Sequence, residues 1–363
     1  MKKFFAILAA ALMLCACSED RSHILKVYNW ADYIDEALLG EFEQWYEEQT
    51  GEPVKIIYQT FDINETMLSK IELGHEDYDV VCPSDYIIER MLSSDLLLPM
   101  DKNFGDTPDY TVNVAPYITS CFDKIEGHGK NANDYSVAYM WGTTGIIYNT
   151  TMVDEAPTCW MDLFTTDLKG QVLIFDNPRD CIGLALKALG YSFNTTNKDE
   201  IAEAADLLIR EKEEGIVQAY VMDQIFDKMI NNEAAIGTYY AGDYLTMVEE
   251  NPDLAFVQPE EGSNLFVDAM CIPTCSKNYE DALAFINFMC RDDIVLRNCE
   301  ETGYSSPSVT AMELMDEEMA SDPIAYPGED ILNKAETFGG LPGDTLTFYD
   351  HEWIRICLAK VKY

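Results

Sequence analysis

Strand-like and helix-like segments alternate along this sequence, and that alternation limits the fold more than any other feature. Runs rich in β-branched and aromatic residues occur at Leu25–Trp30, Val54–Tyr58 and Tyr78–Cys82. Between them lie two segments with apolar residues at helical spacing. The first, Glu36–Gln49, ends before Gly51, and the second runs from Asn64, the expected N-cap, to Gly74. Such an order is typical of an α/β fold built on a mostly parallel sheet.

The alternation breaks off over residues 103–133, which are rich in Asp, Pro, Gly and Asn, and then resumes. Strand-like patterns return at Tyr135–Gly142 and Gly145–Asn149, and we interpret this stretch as a crossing between two domains. A length of 363 residues is compatible with two domains. The second set of predicted elements comprises strands Val172–Phe175, Ala234–Thr238 and Leu265–Pro273, with helices Ile182–Leu189, Ile201–Lys212 and Glu280–Cys290.

The charge of the chain is strongly one-sided. There are 65 Asp and Glu residues against 24 Lys and Arg, a formal net charge of −41. A surface this negative repels phosphate backbones and anionic lipid headgroups, so we expect no nucleic-acid partner. A cationic ligand is compatible with such a field.

The N-terminus has the form of an export signal. Two lysines precede an apolar run from Phe4 to Leu14, which is too short to span a bilayer as a helix. The ending Leu14–Cys17 resembles a bacterial lipoprotein box, which implies cleavage before Cys17 and lipidation of its thiol. We therefore expect residues 1–16 to be a signal peptide and 17–24 a lipidated tether. The protein would be extracytoplasmic, in a periplasmic space or on the outer cell surface, and would touch the membrane only through the lipid.

Nine cysteines follow Cys17, an odd number, so at least one is unpaired. No Cys-x-x-Cys motif occurs, and the spacing of Cys271 and Cys275 lacks a second ligand pair, so we expect no metal site and no cofactor. Cys82 and Cys290 lie inside apolar runs, where a thiol behaves as a small buried hydrophobic group.

Four segments place an aromatic residue next to a carboxylate at or near a predicted strand end. They are Asn29–Tyr33, Pro83–Tyr86, Tyr239–Asp243 and Phe266–Asp268. Open parallel sheets bind ligands beyond the carboxyl ends of their strands. A ring face attracts an alkylammonium ion and covers its methylene groups, while a carboxylate accepts the ammonium protons. The alternative for each pair is ordinary packing beside a solvated turn.

Five motifs together resemble the periplasmic spermidine/putrescine-binding proteins of bacterial ABC transporters. They are VYNWADY (27–33), NETM (64–67), YDVVCPSDY (78–86), WGTTG (141–145) and ETGY (301–304). The resemblance extends from about Leu25 to about Tyr326. It implies a two-lobed type II periplasmic-binding-protein fold with a ligand cleft between the lobes. Lobe 1 would comprise residues 25–138 and 268–312, and lobe 2 residues 139–267 and 313–363.

The resemblance also implies a set of ligand-binding residues. They are Trp30, Asp32, Tyr33, Ser84, Asp85, Tyr86, Asp180, Tyr240, Asp243, Phe266, Asp268 and Tyr304. Tyr240 and Phe266 stand where relatives carry tryptophan or another ring, and Asp85 adds a carboxylate to the family pattern. Asn177 replaces an acid of spermidine binders, and it could equally cap the helix after Pro178. The glutamine that relatives carry near the C-terminus has no clear counterpart, since a gap-free count reaches Phe338.

The family comparison implies a polyamine ligand, an ABC permease and its ATPase as partners, and a monomeric protein. Reversible binding of a polyamine in the cleft would close the two lobes. Putrescine and spermidine both remain open as ligands.

Three alternatives compete with this interpretation. An enzyme is disfavoured, because the histidines are scattered and no His-Glu-x-x-His, phosphate loop or Gly-x-Ser-x-Gly motif occurs, so we predict no catalytic residues. The same fold could bind an amino acid, an amino sugar or a metal ion. An amino acid would require an arginine for its carboxylate, and Arg179 is the only basic residue near the expected site. The protein could also act as a sensor.

Overall fold

The computed structural model describes residues 21–74 and 76–362. The predicted signal peptide, most of the tether and the lipidation site at Cys17 lie outside these residues. Within the described chain, no helix combines the length and the apolar character needed to cross a membrane.

A nine-stranded mixed sheet forms the centre of the molecule, in the order β2-β1-β3-β11-β6-β9-β7-β8, with β10 paired to β6. Its strands are β1 Ile24–Trp30, β2 Lys55–Phe61, β3 Val80–Val81, β6 Ser136–Asn149, β7 Val172–Phe175, β8 Val217–Val221, β9 Ile236–Tyr240, β10 Leu254–Val257 and β11 Leu265–Cys271. A separate two-stranded ribbon consists of β4 Glu126–Gly127 and β5 Lys130–Asn131.

The two ends of the sheet are parallel and its middle is antiparallel. At one end β1 pairs in parallel with β2 and β3, and at the other β7 pairs in parallel with β8 and β9. In the middle, β11 runs antiparallel to β3 and β6, and β6 runs antiparallel to β9 and β10. The two strand-like patterns expected at Tyr135–Gly142 and Gly145–Asn149 form the single continuous strand β6.

Helices cover both faces of the sheet. They are α1 Ala37–Thr50, α2 Asn64–Glu72, α3 Asp85–Ser93, α4 Pro116–Phe122, α5 Met161–Thr165, α6 Pro178–Ala188, α7 Lys198–Glu213, α8 Gln224–Ile230, α9 Ala241–Glu250, α10 Tyr279–Met289, α11 Asp292–Thr302, α12 Val309–Leu314, α13 Glu317–Ala320, α14 Glu329–Leu332 and α15 Gly343–Leu358. Short 3₁₀ helices lie at Tyr110–Asn113 and Ala132–Asp134.

The hydrophobic core has separate parts at the two ends of the sheet. Around β7, β8 and β9, one large cluster packs Trp160, Phe175 and Tyr239 against α6, α7 and α15. Around β1 and β3, one cluster on each face covers the sheet, the first built on Phe42 and the second on Tyr28. The α/β class predicted from the sequence is confirmed. The mostly parallel sheet expected with it is wrong, because β11 and β6 run antiparallel to their neighbours.

Two sequence-based expectations about local structure are wrong. Asn64 does not cap α2, because its side chain instead donates to the Ser84 Oγ at 3.0 Å and accepts from the Ser84 N–H. The expected strand Ala234–Thr238 is displaced to β9, so Tyr239 and Tyr240 lie inside a strand and not after it. The helix that follows, α9, then carries Asp243 in its first turn.

All nine cysteines within the described residues are free. As expected from their apolar surroundings, Cys82 and Cys290 are buried, whereas Cys357 is exposed. Burial raises the pKa of the Cys290 thiol to about 12, which keeps it in the unreactive protonated form.

Candidate functional site

A single cavity of about 840 Å³, partly open to solvent, brings together every residue that the sequence analysis assigned to a ligand. All twelve predicted site residues line it: Trp30, Asp32, Tyr33, Ser84, Asp85, Tyr86, Asp180, Tyr240, Asp243, Phe266, Asp268 and Tyr304. Most of them follow or end strands, where ligand sites of open α/β sheets lie. Phe266 and Asp268 instead lie inside β11, and Tyr304 follows α11.

Asp268 on β11 is a buried carboxylate of the cavity, with 4% of its surface exposed. The Tyr33 hydroxyl donates to one oxygen at 2.8 Å, and the Ser84 hydroxyl donates to the other at 2.6 Å. Burial raises the pKa of Asp268 to about 7. Its partners are neutral, so the carboxylate is oriented but its charge is not compensated.

Asp180, in the first turn of α6, is held by two groups from the end of the sheet that contains β7 and β9. The Tyr240 hydroxyl donates to its Oδ2 at 3.0 Å, and the Asn177 side-chain nitrogen donates to the same oxygen at 2.8 Å. Asn177 also accepts from the Asp180 backbone N–H, so it caps α6 as well as lining the cavity. Burial raises the pKa of Asp180 to about 6.

Asp243 receives a hydrogen bond of 2.8 Å from the Tyr304 hydroxyl. Burial raises its pKa to about 8, and the nearby carboxylates Asp223 and Asp32 act in the same direction. Asp223 in turn accepts from the Tyr239 hydroxyl at 2.8 Å. This part of the cavity is therefore a second concentration of negative charge.

Asp85 has a partly structural role. It opens α3, its Oδ1 accepts from the Tyr86 N–H at 2.7 Å, and its Oδ2 accepts from the Val267 N–H at 3.4 Å. Burial raises the pKa of Asp85 well above its usual range, and the neighbouring Asp268 adds to this shift.

Aromatic rings form the apolar walls between these carboxylates. The Tyr33 and Tyr304 rings meet edge to face with centroids 4.6 Å apart, and Phe266 contacts Tyr240 in the same way at 5.4 Å. Trp30 packs on Phe61 at 4.4 Å. Dispersion attracts ring faces and methylene groups to one another, so such walls suit an alkyl chain.

Eight carboxylates line the cavity, and none of them forms an ion pair with a basic side chain among the described residues. They are Asp32, Asp62, Glu65, Asp85, Asp180, Asp223, Asp243 and Asp268. No lysine, arginine or histidine from the described chain lines the cavity. Asp85, Asp243 and Asp268 are buried. Buried carboxylates without a basic partner are costly, and a bound cation would offset that cost.

Arg179, the basic residue noted in the sequence, lies behind the cavity wall. Its guanidinium stacks over the Phe338 ring at 4.5 Å and the Tyr86 ring at 5.4 Å, and it donates to Asn194 at 3.2 Å. It is buried and committed to these contacts.

Several lining residues were not assigned from the sequence. They are Ala31, Phe61, Asp62, Ile63, Asn64, Glu65, Met222, Asp223, Phe226, Tyr239, Asn264 and Phe338. Asp62 follows β2 directly, and Glu65 lies in the first turn of the helix after it, a signal that the strand-end argument could have used. Asp223 follows β8, a strand absent from the predicted elements. Phe338, the position reached by a gap-free count, does line the cavity.

The chain is similar to proteins of one known family. Residues 42–327 match the family described as bacterial extracellular solute-binding protein. The chain is 32% identical over 334 residues to the spermidine/putrescine-binding periplasmic protein of Escherichia coli, with 90% of each chain covered.

Two solved structures are similar over almost their whole length. A chain described as a spermidine/putrescine ABC transporter from Listeria monocytogenes has a TM-score of 0.83 and 38% identity, covering 93% of this chain and 99% of that one. The spermidine/putrescine ABC transporter substrate-binding protein of Streptococcus pneumoniae has a TM-score of 0.75 and 36% identity, with the same coverage.

Proposed function

The chain belongs to the bacterial extracellular solute-binding proteins, and we propose that it captures a linear polyamine, putrescine or spermidine, for an ABC importer. The similarity to spermidine/putrescine-binding proteins predicted from the sequence motifs is confirmed. The periplasmic-binding-protein fold is confirmed with it.

One observation carries the proposal: eight carboxylates without a basic partner line a cavity whose remaining walls are aromatic. A polyamine is the small ligand that matches both features, because its ammonium groups need acceptors and its methylene chain needs apolar cover. A ligand with a carboxylate would meet only negative charge and find no basic side chain on the cavity wall.

In the binding mode that we propose, Asp268 accepts protons from one amine, with Tyr33 and Ser84 holding its two oxygens in place. Asp180 and Asp243 accept from amines elsewhere along the chain. The rings of Trp30, Phe266 and Tyr304 cover the methylene groups. The other assigned site residues complete the cavity wall around the ligand. Because the acids sit on both proposed lobes, the ligand would favour the closed arrangement.

Two relatives are periplasmic proteins by name, which supports an extracytoplasmic location for this protein. We propose further that Cys17 carries the lipid, that the permease and its ATPase receive the ligand, and that the protein acts as a monomer. Its relatives are binding components of transporters, which supports binding without catalysis.

Isothermal titration of ligand-stripped protein tests the proposal. Putrescine, cadaverine, spermidine and spermine form the panel, with lysine and ornithine as controls that add a carboxylate and butylamine as a control that lacks the second amine. We expect one or more polyamines to bind with one-to-one stoichiometry and butylamine to bind much more weakly. Lysine and ornithine should not bind. Absence of heat with every polyamine would overturn the proposal.

A further inference from the structure

One asparagine on the cavity wall has an unsatisfied side chain. Asn264 is 2% exposed and lines the cavity, yet its Oδ1 finds no hydrogen-bond donor among the described residues. Buried side-chain oxygens in folded proteins are nearly always paired, so an unpaired one beside a ligand cavity calls for a partner.

The backbone around Asn264 is held firmly, so the unpaired amide is not a loose surface group. Its carbonyl oxygen accepts from the Thr144 N–H of β6 at 3.1 Å. It also forms an isolated parallel bridge with Glu336. The Glu336 carboxylate itself is paired with Lys187 and Ser192, so it does not compete with Asn264 for a ligand amine.

Asn264 belongs to the same row of side chains as two assigned site residues. Alternate residues of a strand point to the same face, and Asn264, Phe266 and Asp268 all line the cavity. Leu265 and Val267 pack into the core on the opposite face. The row therefore presents an amide, a ring and a carboxylate in that order.

The length of this row separates two kinds of polyamine. Four residues of strand span about 13 Å from Asn264 to Asp268. With bond lengths near 1.5 Å, the nitrogens of extended putrescine lie about 6 Å apart and the outer nitrogens of spermidine about 11 Å apart. With one amine on Asp268, a diamine directed along the row ends over Phe266, whereas a triamine reaches Asn264.

We propose that Asn264 receives the far amine of a linear triamine whose other end is held by Asp268, and so selects spermidine over putrescine. This inference rests on the proposed polyamine function. A half-turn of the terminal torsion exchanges the amide oxygen and nitrogen, and this torsion is soft, so the acceptor can turn toward the ligand.

The chemistry explains why a neutral amide suffices. A site built to accept a hydrogen bond from a ligand N–H discriminates strongly against a ligand that leaves the acceptor unpaired. The diamine would leave the Asn264 oxygen as it is in the ligand-free protein, and the triamine would satisfy it.

The test compares putrescine and spermidine by isothermal titration on the wild type, Asn264→Leu and Asn264→Ala. Leucine keeps the side-chain size and removes the acceptor, and alanine serves if leucine prevents folding. We expect the Kd for spermidine to rise at least tenfold and that for putrescine to change less than twofold. Leu265→Ala, a change on the opposite face of the same strand, should shift both ligands equally.

Each other outcome has a definite meaning. Equal losses for both ligands in the Asn264 variants would make Asn264 a structural residue satisfied by water and overturn the inference. Unchanged binding of both would overturn it as well. If the wild type binds neither polyamine, the proposed function fails first and the inference fails with it.

Discussion

Tyr33 and Asp268 are separated by 235 positions in the sequence, yet the Tyr33 hydroxyl lies 2.8 Å from the Asp268 Oδ2 and donates to it. Ser84 holds the other oxygen from a third segment. Three distant parts of the chain thus fix one carboxylate with neutral donors. Its orientation is set by the fold, while its negative charge stays available to a ligand.

Replacing Asp268 with asparagine should remove most polyamine affinity. Losing one partner of a buried hydrogen-bonded charge pair costs about 2–5 kcal/mol, which is at least about thirtyfold in Kd. Isothermal titration with putrescine and spermidine measures this loss of affinity. Asp281→Asn is a matched control, because Asp281 also accepts from a tyrosine hydroxyl, that of Tyr46 at 2.6 Å, but lies outside the cavity. Equal affinity of Asp268→Asn and the wild type would exclude Asp268 as a ligand contact.

Polyamine affinity should increase with pH across the neutral range. Burial raises the pKa values of Asp180, Asp268 and Asp243 to about 6, 7 and 8. The ligand ammonium groups stay charged here, since alkylamines titrate near pH 10. A cation favours the ionised carboxylates, so binding releases protons, and affinity falls as pH drops from about 8 to 6. Titrations in buffers of different ionisation enthalpy would show that release, and a Kd constant over this range would contradict the assignment.

The sequence predicts the parallel end of the sheet around β1 well because its signals are local. The run Leu25–Trp30 and the helix that stops at Gly51 each carry their own pattern, and the structure places β1 and α1 there. Asn64 fails as a cap because a tertiary partner, Ser84, takes its side chain. Sequence spacing contains no information about such a competing contact.

The same distinction holds within the cavity. Asp32, which the sequence places next to a ring at a strand end, lies on the cavity wall, and so does Asp268 inside β11. Asp223 and Asn264 lie on the wall too, but Asp223 follows a strand that was not predicted and Asn264 precedes β11, so nothing local marks them. Their position depends on how distant strands pair.

Glu211 should lower the stability of the protein at neutral pH. It is 1% exposed, and neither carboxylate oxygen has a partner among the described residues. Burial raises its pKa well above the usual range. A raised carboxylate pKa means that the folded state binds a proton which the unfolded state releases, so stability declines as pH rises from the ordinary value toward the folded one.

Glu211→Leu should therefore raise the free energy of unfolding by roughly 1–3 kcal/mol at pH 7, the usual cost of a buried unsatisfied group. The gain should be larger at pH 8 than at pH 5, as thermal melts at both values would show. Glu352→Leu is a control of similar burial and opposite expected sign, because Glu352 pairs with Arg355. A lower melting temperature for Glu211→Leu than for the wild type would contradict this prediction, because it would mean that the Glu211 carboxylate stabilises the folded state.

Residues 333–342 join the two ends of the sheet, and we expect this connection to slow ligand release. Asn194 accepts from the Gly339 N–H at 2.8 Å, while Glu89, on α3, accepts from the Gly340 N–H at 2.7 Å. Phe338 between these contacts lines the cavity.

Removing the carboxylate in Glu89→Ala costs about 1 kcal/mol at this exposed position, so the dissociation rate should rise roughly fivefold with little change in association. Stopped-flow tryptophan fluorescence measures both rates. In a Glu72→Ala control, which removes a long surface contact to Arg90 outside the cavity, the rates should match the wild type. Equal rates for Glu89→Ala and Glu72→Ala would show that the segment covers the cavity without restraining the ligand.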